Sequence, residues 1–555
     1  MKRTLALCLA AALVIPGCVA VDDSLGSSLV DKSLLFDTYT IEFPLTEITM
    51  QPSEDLSGYS ESHLTIGAIR DDDFGLTTRS AAFPLIPALD TLDLGKNPEA
   101  VGMALYFAAD TISCAQEGQE RIMQNIYVTE LTEPLINDVQ NRKTTREIKH
   151  GNQLITDGLP VYNGSGPLQF SFTKAYAQKY VDAIKTLAPD GVIVNRQWES
   201  DVLVQRFKDY VAAVPGIYIE TEKPEGNGGR INLFDFSCLS VASSYYYRNN
   251  NVALLKVNSE WDGARKDSLF MFIPGEAEFV NESDYLTNNT KFYQYSFNRT
   301  THSTTAGKPT TQLMVEGGGG LKPVIKASEL RAKTREEITK MGKNPDKAIV
   351  VRATVLLPYE MPEDYKQMNY FPPVLSPTIR ASVTDSDTKK EYFAFAGLTD
   401  ASVTTENQGD IDRSNLMYCP DITYHMQELL FRDDLDKATD ADIWLLTIHT
   451  ELVEDANGST YDDSYYQSLL YASYYNSLYG GGYGYGGYGS YGYNSYSNYY
   501  NYMMLAQMMA SANQTSYSYN TELDKDRYYK ATLNGPTAGG KTPSFRVTFA
   551  VSKEE

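Results

Sequence analysis

The chain has 555 residues, a formal charge of −23 at pH 7 and a hydrophobic fraction of 42%. At roughly 150 residues per domain that length suggests two to four domains, and the composition is that of a globular protein. The acidic balance argues against nucleic acid, whose phosphates would be repelled, and against a basic patch on an anionic membrane.

The first element is a leader. Lys2 and Arg3 give a positive start, and residues 5–15 are almost wholly apolar. That run fits a signal peptide and is too short to span a bilayer. Ile15-Pro16-Gly17-Cys18 ends it with a small residue before a cysteine. This is the pattern of a bacterial lipobox, in which the thiol of Cys18 accepts a diacylglycerol and cleavage leaves residues 1–17 behind. Two or more acyl chains anchor a protein stably, where one does so only marginally. Loss of Lys2 and Arg3 takes the charge from −23 to −25. A linker follows over 18–34, carrying Asp22 and Asp23. Later segments include none long and apolar enough to cross a membrane, so Cys18 is the expected anchor.

Strand patterns then dominate. "TYTIEFPL", "TTRSAAFPLI", "AVGMALYFA", "RIMQNIYVTEL", "VALLKVNSEW" and "DSLFMFIPG" are short, rich in Val, Ile, Tyr and Phe, and bounded by turn residues. So are "KAIVVRATVLLP", "KEYFAFAGL", "DIWLLTIHTELV", "DRYYKATL" and "SFRVTFAVS". The fold class expected is mainly β: two jelly-roll-like or sandwich domains with a few peripheral helices. Helical spacing marks "KAYAQKYVDAIKTL" through Ala177, Tyr180, Ile184 and Leu187. It marks "WESDVLVQRFKDYVAAV" through Val202, Val204, Phe207, Val211 and Val214. "PDITYHMQELLF" opens with Pro420 and Asp421, a helix start. A weak repeat of pattern between the halves puts the boundary near 285, giving domains at 35–285 and 286–555.

The segment 464–521 has no charged residue and no histidine, and contains "LYGGGYGYGGYGSYGYNSYSNYYNYMMLAQMM". It reads as a Tyr/Gly-rich loop between two sheet strands. Tyr483, Tyr485, Tyr488 and Tyr491 are adhesive rings on a mobile backbone. Met504 and Met508 share a face if "NYYNYMMLAQMMAS" forms a short helix. Together these six are the expected partner contact.

Several stretches resemble the Bacteroidota outer-membrane lipoproteins grouped as domain-of-unknown-function-4270. They are "DDSLG", "IGAIRDDDFGLTT", "IYVTELTEPL", "PGIYIETE", "LMVEGGGGLKPVIKASEL" with "KAIVVRATVLLP", and "YYKATLNGP…SFRVTFAVS". The resemblance implies a β-rich fold and an outer-membrane location and no reaction. Asp22 and Asp23 are similar to the surface-export signal of lipoproteins in that phylum, which implies display on the cell exterior. Asp90-Thr91-Leu92, Asp110-Thr111-Ile112 and Asp267-Ser268-Leu269 resemble its O-glycosylation acceptors.

Chemical motifs are weak throughout. "RDDDFG" (70–75) has the letters of the kinase metal motif without its companions, and reads as an acidic turn with Phe74 packed inward and Gly75 at positive φ. "GGGGLKP" (317–323) is not a phosphate loop, because no Ser or Thr follows the lysine; its glycines let two backbones approach. "DDLDKATDAD" (433–442) lacks the central Gly and terminal Glu of an EF-hand. His449 shares a strand face with Thr447 and Glu451, and reads first as a structural histidine. Trp444 reads as core. Cys114, Cys238 and Cys419 form no C-x-x-C pair, so a zinc knuckle is excluded, while free thiols or one disulfide stay open. No catalytic, metal or cofactor residue is assigned. The expected function is a non-enzymatic structural or assembly subunit of an envelope complex, partnered by other envelope proteins. A glycan-binding surface module is the alternative, and a hydrolase the least favoured.

Overall fold

A computed structural model describes residues 36–552, apart from 61–62, 88–91, 110–112, 136–138, 192–200, 236–251, 275–276, 281–290, 295, 386–388, 399, 401–408, 436–440 and 455–516. Among these residues the protein is mainly β, as its alternating patterns predict, in antiparallel sheets with a few helices.

Sheet I is built from His150–Leu154, Gln124–Leu131, Ile217–Thr221, Gly75–Phe83, His63–Asp71, Gly228–Asp235 and Cys114–Ala115, in that order. The strand Ser296–His302 also pairs with Gly75–Phe83. Sheet II runs Leu168–Phe172, Lys96–Phe107, Val252–Trp261, Ala264–Pro274, Leu85–Pro87. The two close on one core in which Leu64, Ile66, Phe83 and Ile219 meet Leu105, Phe107, Leu255 and Phe272. Phe83 and Phe107 meet edge to face at 5.3 Å between centroids, one of the two preferred aromatic geometries. Helix α1 (Lys174–Leu187) starts at Thr173, whose hydroxyl accepts from the Tyr176 N–H at 3.2 Å. Its buried stripe holds the predicted Ala177, Tyr180 and Ile184. Helix α2 (Asp201–Ala213) buries Tyr210 and Val211 beside it.

Sheet III runs Phe36–Pro44, Ser544–Ser552, Ile349–Pro358, Met417–Tyr418, Ile411–Asp412. Sheet IV runs Ile48–Pro52, Leu321–Ile325, Ile443–Glu454, Val374–Thr384, Glu391–Gly397, with Tyr517–Leu523 also paired to Ile443–Glu454. Their shared core joins Phe43, Val355, Phe545 and Phe549 to Met50, Leu375, Ile379 and Leu445. Helix α3 (Ala327–Lys340) packs on it through Ala327, Leu330, Thr334 and Ile338. The periodicity did not predict this helix. Its apolar stripe is thin, and surface ion pairs such as Lys333–Glu337 and Lys340–Glu336 cover the rest.

The strand partners do not follow a single cut near residue 285. Phe36–Pro44 and Ile48–Pro52 belong by sequence position to the first half, yet they pair with Ser544–Ser552 and Leu321–Ile325 in the second sandwich. Ser296–His302 lies beyond the cut and belongs to the first sandwich. The cause is physical: an unpaired strand edge is satisfied by whichever strand reaches it, regardless of chain order. The loop predicted over 464–521 also ends sooner, because Tyr517–Leu523 is a strand.

Helix α4 (Thr423–Phe431) covers a sheet edge, as expected of these helices. Gln427 and Thr423 side chains accept from the Val350 and Ala353 N–H groups of Ile349–Pro358. The start of α4 is held by Asp400, whose carboxylate accepts from the Tyr424 and His425 N–H groups at 2.6 and 3.1 Å. Burial, only partly offset by these bonds, pushes the Asp400 carboxyl up to about 6. An acid whose folded pKa is raised makes the native state bind more protons than the unfolded chain, so this contribution to stability falls as pH rises from about 4 to about 6. Urea unfolding of wild type and Asp400→Ala should therefore diverge on acidification. The wild-type advantage, about 1–2 kcal/mol from the cap near neutrality, should grow towards pH 4.5.

Candidate functional site

The strongest concentration of polar side chains lies where the two sandwiches meet. It is assembled by three sequence elements: the turn 71–75, the glycine run 317–320 and the segment 524–530.

Asp71 closes its turn by accepting from the Asp73 and Phe74 N–H groups at 3.0 and 3.2 Å with one carboxylate oxygen. Its other oxygen pairs with the Lys530 ammonium of the second sandwich. Burial works to raise the Asp71 carboxyl, but Lys530 and the turn's N–H groups outweigh it, and the net shift is downward. The Lys530 ammonium also stands over the rings of Phe74, Tyr370 and Tyr528, at 5.7, 5.3 and 5.6 Å. Phe74 packs inward and Gly75 has φ +67°, as the turn reading expected.

Arg79, 2% exposed, crosses the same seam. It donates to Thr300 Oγ1 at 2.7 Å and to the Lys525 and Arg527 carbonyls at 2.6 and 3.2 Å. Asp524 and Asp526 supply the compensating charge. Asp524 is itself fully buried, which raises its carboxyl; it accepts from the Arg527 and Gly318 N–H groups at 2.7 and 3.1 Å. His302 Nδ1 lies 3.2 Å from Glu316 Oε1, joining a strand of each sandwich.

The glycine run makes this approach possible. A Cβ on Gly317 would lie 2.6 Å from the Arg527 carbonyl, and one on Gly319 2.2 Å from Thr144 Oγ1. Gly318 has φ +55°, in the left-handed region. The turn folds around Lys322, a wholly buried ammonium that donates to the carbonyls of Glu316, Gly318 and Gly320. Burial draws Lys322 down to about 8, against the pull of Asp524 and Glu316. Ser53, which follows the strand Ile48–Pro52, donates to Gly318 and Gly320 at 2.9 and 3.0 Å.

A second contact lies further along the seam. Asp55 pairs with Arg380 at 2.6 Å and Lys143 at 3.5 Å. The Arg380 guanidinium stacks 3.6 Å above Phe393. Four cations (Arg79, Lys322, Arg527, Lys530) and four carboxylates (Asp71, Glu316, Asp524, Asp526) thus face one another in the main cluster. The arrangement is a clamp: Lys530 pairs with Asp71 across the seam, Arg79 and Lys322 bond backbone carbonyls of the turns, and Arg527 donates to His449 on its own side.

The residues predicted for partner contact lie outside the described residues: Tyr483, Tyr485, Tyr488, Tyr491, Met504 and Met508, as does the lipidation residue Cys18. His449 does not gather a triad. Its Nδ1 lies 3.3 Å from the Tyr529 hydroxyl and its Nε2 accepts from Arg527 at 2.7 Å, while Thr447 donates to Asp524. Within 433–442, Asp433 and Asp434 pair with Arg331 and Arg432, and Asp442 accepts from the Ala327 N–H. Among the described residues no group of three or more His, Cys, Asp or Glu is placed to hold a metal. Cys114 and Cys419 are thiols in no disulfide, and Trp444 is buried against Phe395.

No family model, no curated protein and no solved structure matches this chain.

Because Lys530 and Asp71 belong to different sandwiches and are both mostly buried, their coupling measures the clamp. A double-mutant cycle with Asp71→Asn and Lys530→Met, read by chemical unfolding, should give a coupling energy of about 1–3 kcal/mol. Lys322→Met gives a pH signature. A lysine with a lowered folded pKa leaves the unfolded state binding more protons between pH ~8 and ~10, so wild type should gain stability relative to the variant over that window.

Proposed function

We propose that this protein is a lipid-anchored lipoprotein of the outer membrane, facing the cell exterior, that serves as a non-enzymatic structural or assembly subunit of an envelope complex. The observation that carries the reading is the stretch "LVIPGCVAVDDS" (13–24), in which an apolar run stops at Cys18 and turns acidic at once. Cys18 holds the acyl chains, and 18–34 spaces the body from the bilayer. The resemblance to the domain-of-unknown-function-4270 lipoproteins points the same way. The body supports the structural role: its densest charge cluster is consumed in joining two sandwiches, which makes a rigid unit able to bear load at both ends.

Partner contact falls to the Tyr/Gly insert, with Tyr483, Tyr485, Tyr488, Tyr491, Met504 and Met508 as its adhesive residues. Glu454 and Tyr517, which flank it, lie opposite each other in an antiparallel pair at the end of their two strands. Such an insert contacts other proteins without sharing the core.

Three experiments test this. Cys18→Ala should abolish incorporation of labelled palmitate and release the protein from the outer-membrane fraction; retention in that fraction without label would defeat the lipoprotein assignment. Deleting 480–494 should leave the melting temperature within about 2 °C of wild type, because no described strand is touched. Deleting 464–516 should remove a stoichiometric partner from gently solubilised membranes. A monomer with no partner before or after deletion would sink the assembly role.

A further inference from the structure

Sheet III presents its outer face to solvent, and at one end that face is walled into a groove of about 590 Å³. The volume falls within the roughly 300–1,000 Å³ of sites that hold small ligands. The floor comes from the ends of four strands: Pro44, Leu356, Pro358 and Met417, with Ser544 and Arg546 between them. The wall is the loop that carries Lys541 and Thr542 into the last strand. That loop is pinned. Asn534 donates to the Lys541 carbonyl at 2.8 Å, and the Leu45 N–H donates to the Pro543 carbonyl at 2.9 Å.

The charges in the groove are unequal. Glu42 is fully engaged: one oxygen accepts from Ser544 at 2.8 Å and the other from Arg546 at 2.9 Å. Its carboxyl is net lowered, since these bonds and the Arg546 charge outweigh burial. Lys541 is exposed and makes no ion pair among the described residues. The groove lining therefore carries one more cation than carboxylate over its apolar floor, in a chain whose net charge is −23, with a further carboxylate, Glu360, bonded to Asn534 behind the Lys541 loop. It fits a single negative charge attached to an apolar group. A dianion such as a phosphate monoester would need a second free cation, and Arg546 is already held by Glu42. A sugar would need an exposed aromatic platform, and the one ring in the lining, Phe43, is buried in the core.

We propose that this groove binds the C-terminal residue of a peptide, its carboxylate on Lys541 and its apolar side chain on Leu356, Pro358 and Met417. The class of ligand is a free carboxylate beside an aliphatic side chain, and the volume leaves room for roughly two or three residues. The site is distinct from the seam and from the insert, and it does not depend on the lipid anchor.

The test uses the full-length protein in detergent and the tripeptide Ala-Val-Leu, followed by saturation-transfer NMR and calorimetry. The free acid should bind with a Kd on the order of 1 mM or tighter. Its C-terminal amide, and the Lys541→Glu variant titrated with the acid, should each bind about tenfold more weakly or worse. Lys541→Arg should retain binding, and Leu356→Asp should lose it with the circular dichroism spectrum unchanged. Equal affinity for acid and amide, or no effect of Lys541→Glu, would overturn the proposal, as would the absence of saturable binding. Displacement of the tripeptide by inorganic phosphate would make it a phosphate site, and N-acetyl-leucine binding as tightly as the tripeptide would make it a free-acid site; either result refutes peptide capture.

Discussion

Burial of charge between two sandwiches is the constraint on which the rest of the molecule depends. A guanidinium or ammonium taken out of water costs several kcal/mol unless donors and acceptors are replaced one for one. Lys322 and Lys530, and the two terminal nitrogens of Arg79, answer most of that demand with carbonyls, carboxylates and aromatic faces drawn from both halves of the chain, while Arg79 Nε is left without a partner among the described residues. Four of these partners are backbone carbonyls of two turns, 317–320 and 524–530, so the turns must hold one shape. The four glycines and the Asp524 carboxylate enforce it.

The same constraint bears on the two points at which the chain crosses between sandwiches. Phe36–Pro44 and Ile48–Pro52 lie in the second sandwich; the chain then enters the first through Ser53–Asp55, residues that themselves bond across the seam. Ser296–His302 is the last strand of the first sandwich, and it delivers His302 to Glu316 as the chain returns. Each crossing point is tied by a hydrogen bond or an ion pair. The two bodies are thereby tied to each other at separated points. The surface groove on sheet III sits away from that seam, on strands whose inner faces are core, so a ligand there would meet a rigid floor.

Much of the fold was legible. Every strand pattern quoted from the sequence corresponds to a strand or to the approach to one, because a half-buried strand must alternate and these segments do. Helix α3 was not legible, since Ala327, Leu330, Thr334 and Ile338 make too narrow a stripe to stand out from its charges. "RDDDFG" and "GGGGLKP" were recognised as turns, but not as two sides of one cluster. Their third member, 524–530, carries no motif and looked like the lead into a strand. Arg79 gave no signal: an arginine in "TTRSAAF" reads as the polar side of an alternating strand, and only the seam makes it buried.

By itself the sequence determined the β class, the strand segments, and the turn character of the glycine and aspartate runs. These are local properties, set by alternation, by backbone freedom and by short-range composition. The tertiary structure alone decided which strands pair, that the first strands belong with the last, and that charges separated by hundreds of residues neutralise one another at the seam. Pairing and charge compensation depend on distances across space. A linear chain encodes those distances only through the free energy of the whole fold, in which burying Arg79 is tolerable because the carbonyls of 525 and 527 arrive at the same place.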